Sequence, residues 1–203
     1  MKSPDKKFTN FLVNNFFRNL KTGFFIEVGA NTGYEGSVCW HLEKDYGWSG
    51  MNIECNPYCF PDLIKNRPSC ININRALSDE KGELTFIFPT DGPRKLFAGQ
   101  GSVVFNHNHW AKRPTKEIVV KADTLLYLLA LHNIKAADLL VLDVEGYELS
   151  ALNGLYGSKI IPRVIVVEDS KIDIDKLNDI MKKLGLKQFS RRYKNNRIYY
   201  VDI

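Results

Sequence analysis

Apolar residues along this chain come in short runs that end in an acid. Phe24-Phe25-Ile26 leads into Glu27-Val28-Gly29, Ile53 into Glu54, Leu139-Leu140-Val141-Leu142 into Asp143, and Val166-Val167 into Glu168. Short apolar runs bounded by turn residues read as strands buried on both faces. They predict strands over Phe24 to Val28, Gly50 to Cys55, Cys70 to Ala76, Asp138 to Val144 and Arg163 to Glu168. Between them the apolar spacing is helical, over Tyr34 to Tyr46, Tyr58 to Asn66, Tyr147 to Leu155 and Asp173 to Leu184, with Gly47, Pro68 and Gly185 as stops. A further apolar helix, capped by Asp123-Thr124, runs to about His132. Glu83 to Phe88 reads as an extra strand and Ile118 to Lys121 as a short β-rich piece. Lys187 to Tyr193 and Arg197 to Asp202 flank Asn195-Asn196, a turn pair, and read as an antiparallel hairpin.

Strands alternating with helices imply an α/β fold, with a mostly parallel seven-stranded sheet, right-handed crossovers and helices on both faces. Such sheets bind ligands in the crevice at their strand C-terminal ends, where the acids fall. Ser3-Pro4-Asp5 reads as a helix start, Ser3 capping and Pro4 in the first turn. Phe8, Phe11, Leu12 and Phe16 then share one face. Residues 1–22 are therefore expected as a helix packing on the core, its apolar face also a candidate homodimer contact, and 23–203 as a single domain. Residues 89–115 form the longest irregular segment, which suits a lid or an insert.

At 203 residues the chain is long enough for one well-cored domain. Its net charge of +5 is mild and excludes little. The cluster Arg191-Arg192-Tyr193-Lys194 reads as a solvated hairpin, with phosphate contact the alternative. Cys39, Cys55, Cys59 and Cys70 make no C-x-x-C pair, so reduced, mostly buried thiols and a cytoplasmic location are expected. No signal-peptide core follows Lys6-Lys7, and no run approaches the roughly 20 apolar residues of a membrane span, so no membrane partner is expected.

The chemistry concentrates in the first turn. Gly29, Asn31 and Gly33 let the backbone approach a ligand closely, and the helix N-terminus that follows favours an anion. The turn reads G-A-N-T-G-Y-E-G, not the G-x-G-x-x-G of dinucleotide sites, and Glu27 would be a poor neighbour for a pyrophosphate. An acid there suits an ammonium group instead. S-adenosylmethionine carries an amino group, a carboxylate and a sulfonium, and no phosphate. The alternative is a tight turn with no ligand. Glu54 ends the second strand roughly twenty residues on, where a ribose-binding acid belongs, although such acids also cap helices.

Glu27-Val28-Gly29-Ala30-Asn31-Thr32-Gly33, Ile53-Glu54-Cys55-Asn56-Pro57, Asp143-Val144-Glu145-Gly146-Tyr147-Glu148 and Val166-Val167-Glu168 together resemble the FkbM-type S-adenosylmethionine-dependent methyltransferases, in order and spacing over roughly residues 24 to 170. The resemblance implies a Rossmann-like class I methyltransferase fold and, usually, O-methylation of a hydroxyl on a sugar, glycan or small metabolite. The expected cofactor contacts are Glu27, Gly29, Ala30, Asn31, Gly33, Ser37, Glu54, Cys55, Asn56, Ala76, Leu77, Ser78 and Asp143. The chain departs from the family in reading Thr124-Leu125-Leu126 where T-L-D is common, and Val141-Leu142 where a lysine often precedes the D-V-E-G motif. That second change leaves the base open.

Transfer to oxygen needs the acceptor aligned with the methyl, and a base to take its proton. Asp143 is the first candidate for that base; Glu168 and His107 are the others. Asp143, Glu145 and Glu168 around one crevice would raise one another's pKa or hold a divalent metal, which the sequence does not require. Glu145 and Glu148 alternatively cap the next helix. His109, Phe105 and Trp110 accompany His107 in the long segment as base or stacking candidates, or as surface anchors, and Gln100-Gly101-Ser102 as a hinge. Two other readings compete: an RNA ribose O-methyltransferase, and a catalytically idle binding module of the same fold.

Overall fold

The computed structural model describes residues 3–18, 20–91, 101–103 and 113–202. Its main sheet is built from β1 (Phe24–Val28), β2 (Ser49–Ile53), β3 (Ile71–Ile73), β7 (Leu139–Leu142), β8 (Val164–Glu168), β9 (Lys187–Gln188) and β10 (Asn196–Tyr200), in the order β3-β2-β1-β7-β8-β10-β9. Pairing is parallel from β3 to β8, and β10 runs antiparallel between β8 and β9. The strand order reverses between β1 and β7, so a crevice opens there above the strand C-terminal ends.

Successive strand residues face opposite ways. Phe25, Val141, Val166 and Ile198 join α1 (Lys6–Leu12) and α2 (Trp40–Tyr46) in one apolar cluster, through Phe8, Leu12 and Leu42. Ile26, Leu140, Leu142 and Val167 join α4 (Leu125–Leu131), α5 (Glu148–Asn153) and α6 (Ile174–Lys183) in the other, through Leu128, Leu152 and Leu177. This is the Rossmann-like arrangement with helices on both faces that the apolar runs predict.

Several boundaries differ. The helix predicted from Tyr34 begins only at Trp40, because Gly33 and Gly36 both adopt φ +71°, outside the helical region. The cap of α1 is Asp5, which accepts from Phe8 N–H at 3.0 Å, and not Ser3; the helix then widens into a π-helical turn at Val13–Phe17. The Asx turn at Asn56 delays α3 (Phe60–Asn66) beyond Tyr58. The third predicted strand divides. Ile71–Ile73 stays in the main sheet, while β4 (Ala76–Leu77) enters a second sheet, in the order β4-β6-β5, with β5 (Gly82–Pro89) and β6 (Thr115–Asp123). There the short piece at Ile118 becomes a nine-residue strand, antiparallel to β5 from Gly82↔Ala122 to Pro89↔Thr115.

The apolar face of α1 is occupied from within the chain. Phe8 stacks on Tyr193 at 4.1 Å between centroids, and Phe11 and Phe16 meet Phe189. The basic hairpin is also engaged: Lys194 pairs with Asp5 at 2.5 Å, and Arg192 and Arg197 pair with the buried Asp169. All four cysteines are free thiols. Among the described residues no helix is long and apolar enough to cross a membrane.

Candidate active site

A cavity of about 660 Å³ opens at the switch between β1 and β7. The glycine turn forms one wall. Gly29 has φ +75°, and its N–H and that of Ala30 donate to Ile53 O at 2.9 and 3.1 Å. Asn31, also left-handed at φ +52°, donates its N–H to Glu54 Oε2 at 2.7 Å. Glu54 Oε1 accepts Asn56 N–H at the same distance, so the carboxylate is clamped from two backbones and presented to the cavity. Burial outweighs these donors and pushes Glu54 up to about 7.

Glu27 lines the wall at the end of β1, but its carboxylate is already engaged. It accepts from Ser37 Oγ at 2.7 and 2.9 Å and from the N–H groups of Val38 and Cys39 at 2.9 and 3.3 Å, and it pairs with the fully buried Arg67. The N-terminal helix braces the same turn from behind: Asp5 N–H donates to Ser37 O at 3.0 Å, and Thr9 Oγ1 to Val38 O at 2.6 Å.

Beside the glycine turn, at the ends of the neighbouring strands β7 and β8, Asp143, Glu145 and Glu168 also line the cavity. Asp143 is open to the cavity yet walled by protein elsewhere. That enclosure, with Glu168, Glu145 and Glu148 nearby, raises its pKa above the usual carboxylate range, against the pull of Lys171; water reaching it from the cavity tempers the rise. Glu145 is left-handed at φ +58° and pairs with Lys171. Glu148, buried, folds back to accept Val144 N–H at 3.0 Å and Gly146 N–H at 3.1 Å, so it braces the D-V-E-G turn ahead of α5, whose own N-terminus has no side-chain cap. Ser102 closes the far side. It bridges to Ile87 and donates from Oγ to Glu145 O at 2.9 Å.

The cavity therefore gathers Glu27, Gly29, Ala30, Asn31, Ser37, Glu54, Cys55, Ala76, Leu77, Asp143, Glu145 and Glu168 on one surface. Gly33, Asn56 and Ser78 lie outside the lining. Gly33 meets Arg67, Asn56 holds Glu54, and Ser78 bonds Tyr147 Oη at 3.2 Å. His107, His109, Phe105, Trp110 and Gln100 lie outside the described residues. Among those described, no group of three His, Cys, Asp or Glu is arranged to hold a metal ion. The lining adds Glu35, Arg75, Phe86 and Tyr147, which sequence reasoning missed. Tyr147, inside the D-V-E-G-Y-E run, and Glu35, inside the G-A-N-T-G-Y-E-G turn, carried a signal.

Residues 27–193 match the methyltransferase FkbM domain. The chain belongs to the FkbM methyltransferase family. The match covers all the strand-end acids, and the family is one of S-adenosylmethionine-dependent methyltransferases. The fold agrees. A methyltransferase FkbM from Methylobacillus flagellatus KT superimposes with a TM-score of 0.57 at 13% identity, over 98% of this chain and 48% of that one. The METTL16 MTase domain does so with a TM-score of 0.55 at 11% identity, over 96% and 66%. The chain thus spans about half the length of the FkbM structure. No curated protein matches it significantly in sequence.

Proposed function

We propose that this FkbM-family chain transfers a methyl group from S-adenosylmethionine to a hydroxyl of a sugar, glycan or small metabolite. The observation that carries the reading is the placement of Glu54, Asp143 and Glu168, each ending a strand, around one cavity beside the Gly29–Asn31 turn. The residues present fit the donor. Glu54 is held by two backbone N–H groups in a pose that leaves carboxylate lone pairs for ribose hydroxyls, and Asn31 Oδ1 is buried without a partner. When bound, S-adenosylmethionine supplies an electrophilic methyl on a sulfonium. Asp143 holds the acceptor hydroxyl and takes the proton it loses. Its raised pKa suits a base working near neutrality. Glu168 shares that wall and tunes Asp143 through like charge. Nothing in this chemistry requires a divalent metal.

The ribonucleic acid alternative is the weaker one. Of the Arg191-Arg192-Tyr193-Lys194 cluster that suggested phosphate contact, Arg192 and Lys194 are paired with Asp169 and Asp5, and the cavity wall is rich in carboxylates. The first test is calorimetric titration with S-adenosylhomocysteine, followed by methyl-labelled donor with sugar, metabolite and RNA acceptors. Saturable binding with label on a hydroxyl supports the reading. A folded protein that binds no S-adenosylhomocysteine overturns it in favour of an idle binding module.

A further inference from the structure

Among the described residues, one heavily connected side chain has no part in the reading above. Arg67, at the C-terminal end of α3, is 0% exposed. Its Nη1 donates to Gly33 O at 3.1 Å, Ser37 Oγ at 3.3 Å and Glu27 Oε2 at 3.4 Å; its Nη2 reaches Cys39 O at 3.5 Å, and its Nε pairs with Glu43. The guanidinium lies over the Phe25 ring at 5.1 Å. Gly33 is a glycine partly because of this path: a Cβ there would sit 2.6 Å from Arg67 Cγ.

Burying a charge this deeply costs several kcal/mol unless it is paired. Here the pairing is balanced. Lys44 takes one oxygen of Glu43 at 2.8 Å, which leaves Arg67 and Glu27 to neutralise each other. The carboxylate paired with Arg67 also accepts the N–H groups of Val38 and Cys39, and charge-assisted bonds of this kind are stronger than neutral ones. Those bonds and the Arg67–Gly33 bond set the backbone from Gly33 to Cys39, and Glu35 to Val38 of that stretch line the cavity.

We propose that Arg67 is a positioning residue for cofactor binding: as the charge partner of Glu27 behind the wall, it fixes the turn that lines the cavity. The proposal rests on the methyltransferase reading of the cavity. It deepens that reading by giving the turn's geometry to a residue outside every motif of the chain.

The test is a cycle of Arg67→Met, Glu27→Gln and the double variant, with Arg67→Lys as the conservative change. Two readouts are taken: S-adenosylhomocysteine affinity, and hydrogen exchange at the Val38 and Cys39 amides. Arg67→Met should weaken affinity at least about tenfold and speed exchange at both amides, because an unpaired buried charge remains. Adding Glu27→Gln should recover part of both losses, and Arg67→Lys should keep most of both. An arginine that only fills space, with no charge coupling to Glu27, would give additive losses in the double variant. Additive losses, or a folded Arg67→Met with unchanged affinity and exchange, overturn the proposal. If Arg67→Met does not fold, the charge-free double variant decides: folded with slow exchange supports the brace, and unfolded overturns it. If the unaltered protein binds no S-adenosylhomocysteine, the methyltransferase reading falls, and exchange at Val38 and Cys39 alone judges the clasp.

Discussion

A Cβ added to Gly29 would lie 1.9 Å from the backbone oxygen of Asp143. Gly29 and Asp143 each follow the last residue of a paired strand, β1 and β7, and Asp143 N–H still donates to Val28 O at 3.2 Å, so the missing side chain lets the cofactor turn and the candidate base share one wall. Gly29 also has φ +75°, where L side chains are strained. Gly29→Ala should therefore cost roughly 2–5 kcal/mol, the sum of overpacking and a left-handed residue. Thermal unfolding checks it, and an unchanged melting temperature would contradict the contact.

Glu54 gives a pH signature. Its folded pKa of about 7 lies above the ordinary 4.5, so the folded state binds the proton more tightly than the unfolded one. Its contribution to stability is thus present below the unfolded value and is lost as pH rises through the folded one. Ribose hydroxyls need the ionised carboxylate, so S-adenosylhomocysteine affinity should rise between about pH 6 and 8, with proton release near pH 7. Glu54→Gln should weaken binding by about 1.5–3 kcal/mol and flatten the pH profile. Calorimetry in buffers of different ionisation enthalpy reads both.

Asp143→Asn should lower turnover by ~10²–10⁴, a larger loss than any in S-adenosylhomocysteine affinity, because the base for the acceptor is removed. Lys171 pulls the Asp143 pKa down, so Lys171→Met should move the rising limb of the pH–rate profile to higher pH. A limb that stays in place would remove Asp143 from the role of base.

Glu148 can be tested by stability alone. Glu148→Ala would leave the Val144 and Gly146 N–H groups without their acceptor, at about 1–3 kcal/mol. Glu148→Gln keeps an oxygen there and should lose less. Chemical denaturation of the two variants separates them.

Strands and their terminal acids were legible because a strand buried on both faces is written as an unbroken apolar run, and Glu27, Glu54, Asp143 and Glu168 end such runs. The parting of β3 from β4 was not, since Asn74 and Arg75 change the chain's direction through contacts made at a distance: Asn74 Nδ2 to Glu54 O at 2.7 Å, and Arg75 Nε to Asp123 at 3.0 Å. Arg67 was illegible for the same reason. Beside Pro68 it reads as an ordinary basic helix end, and nothing local shows that it will cross to Glu27, forty positions away. The late start of α2 had a local signal in Gly33 and Gly36 that helical spacing concealed.

The second sheet leaves the core at Ala76 and Leu77 and comes back beside them, paired in parallel with Ala122 and Asp123. Departure and return are stitched together, so β5 and β6 stand outside the main sheet on a single paired root. Phe86, on β5, and Ser102, bridged to Ile87, face the cavity from the side away from Glu54. Side chains on β5 and β6 are therefore free to vary while the register of β1, β2, β3 and β7 stays intact.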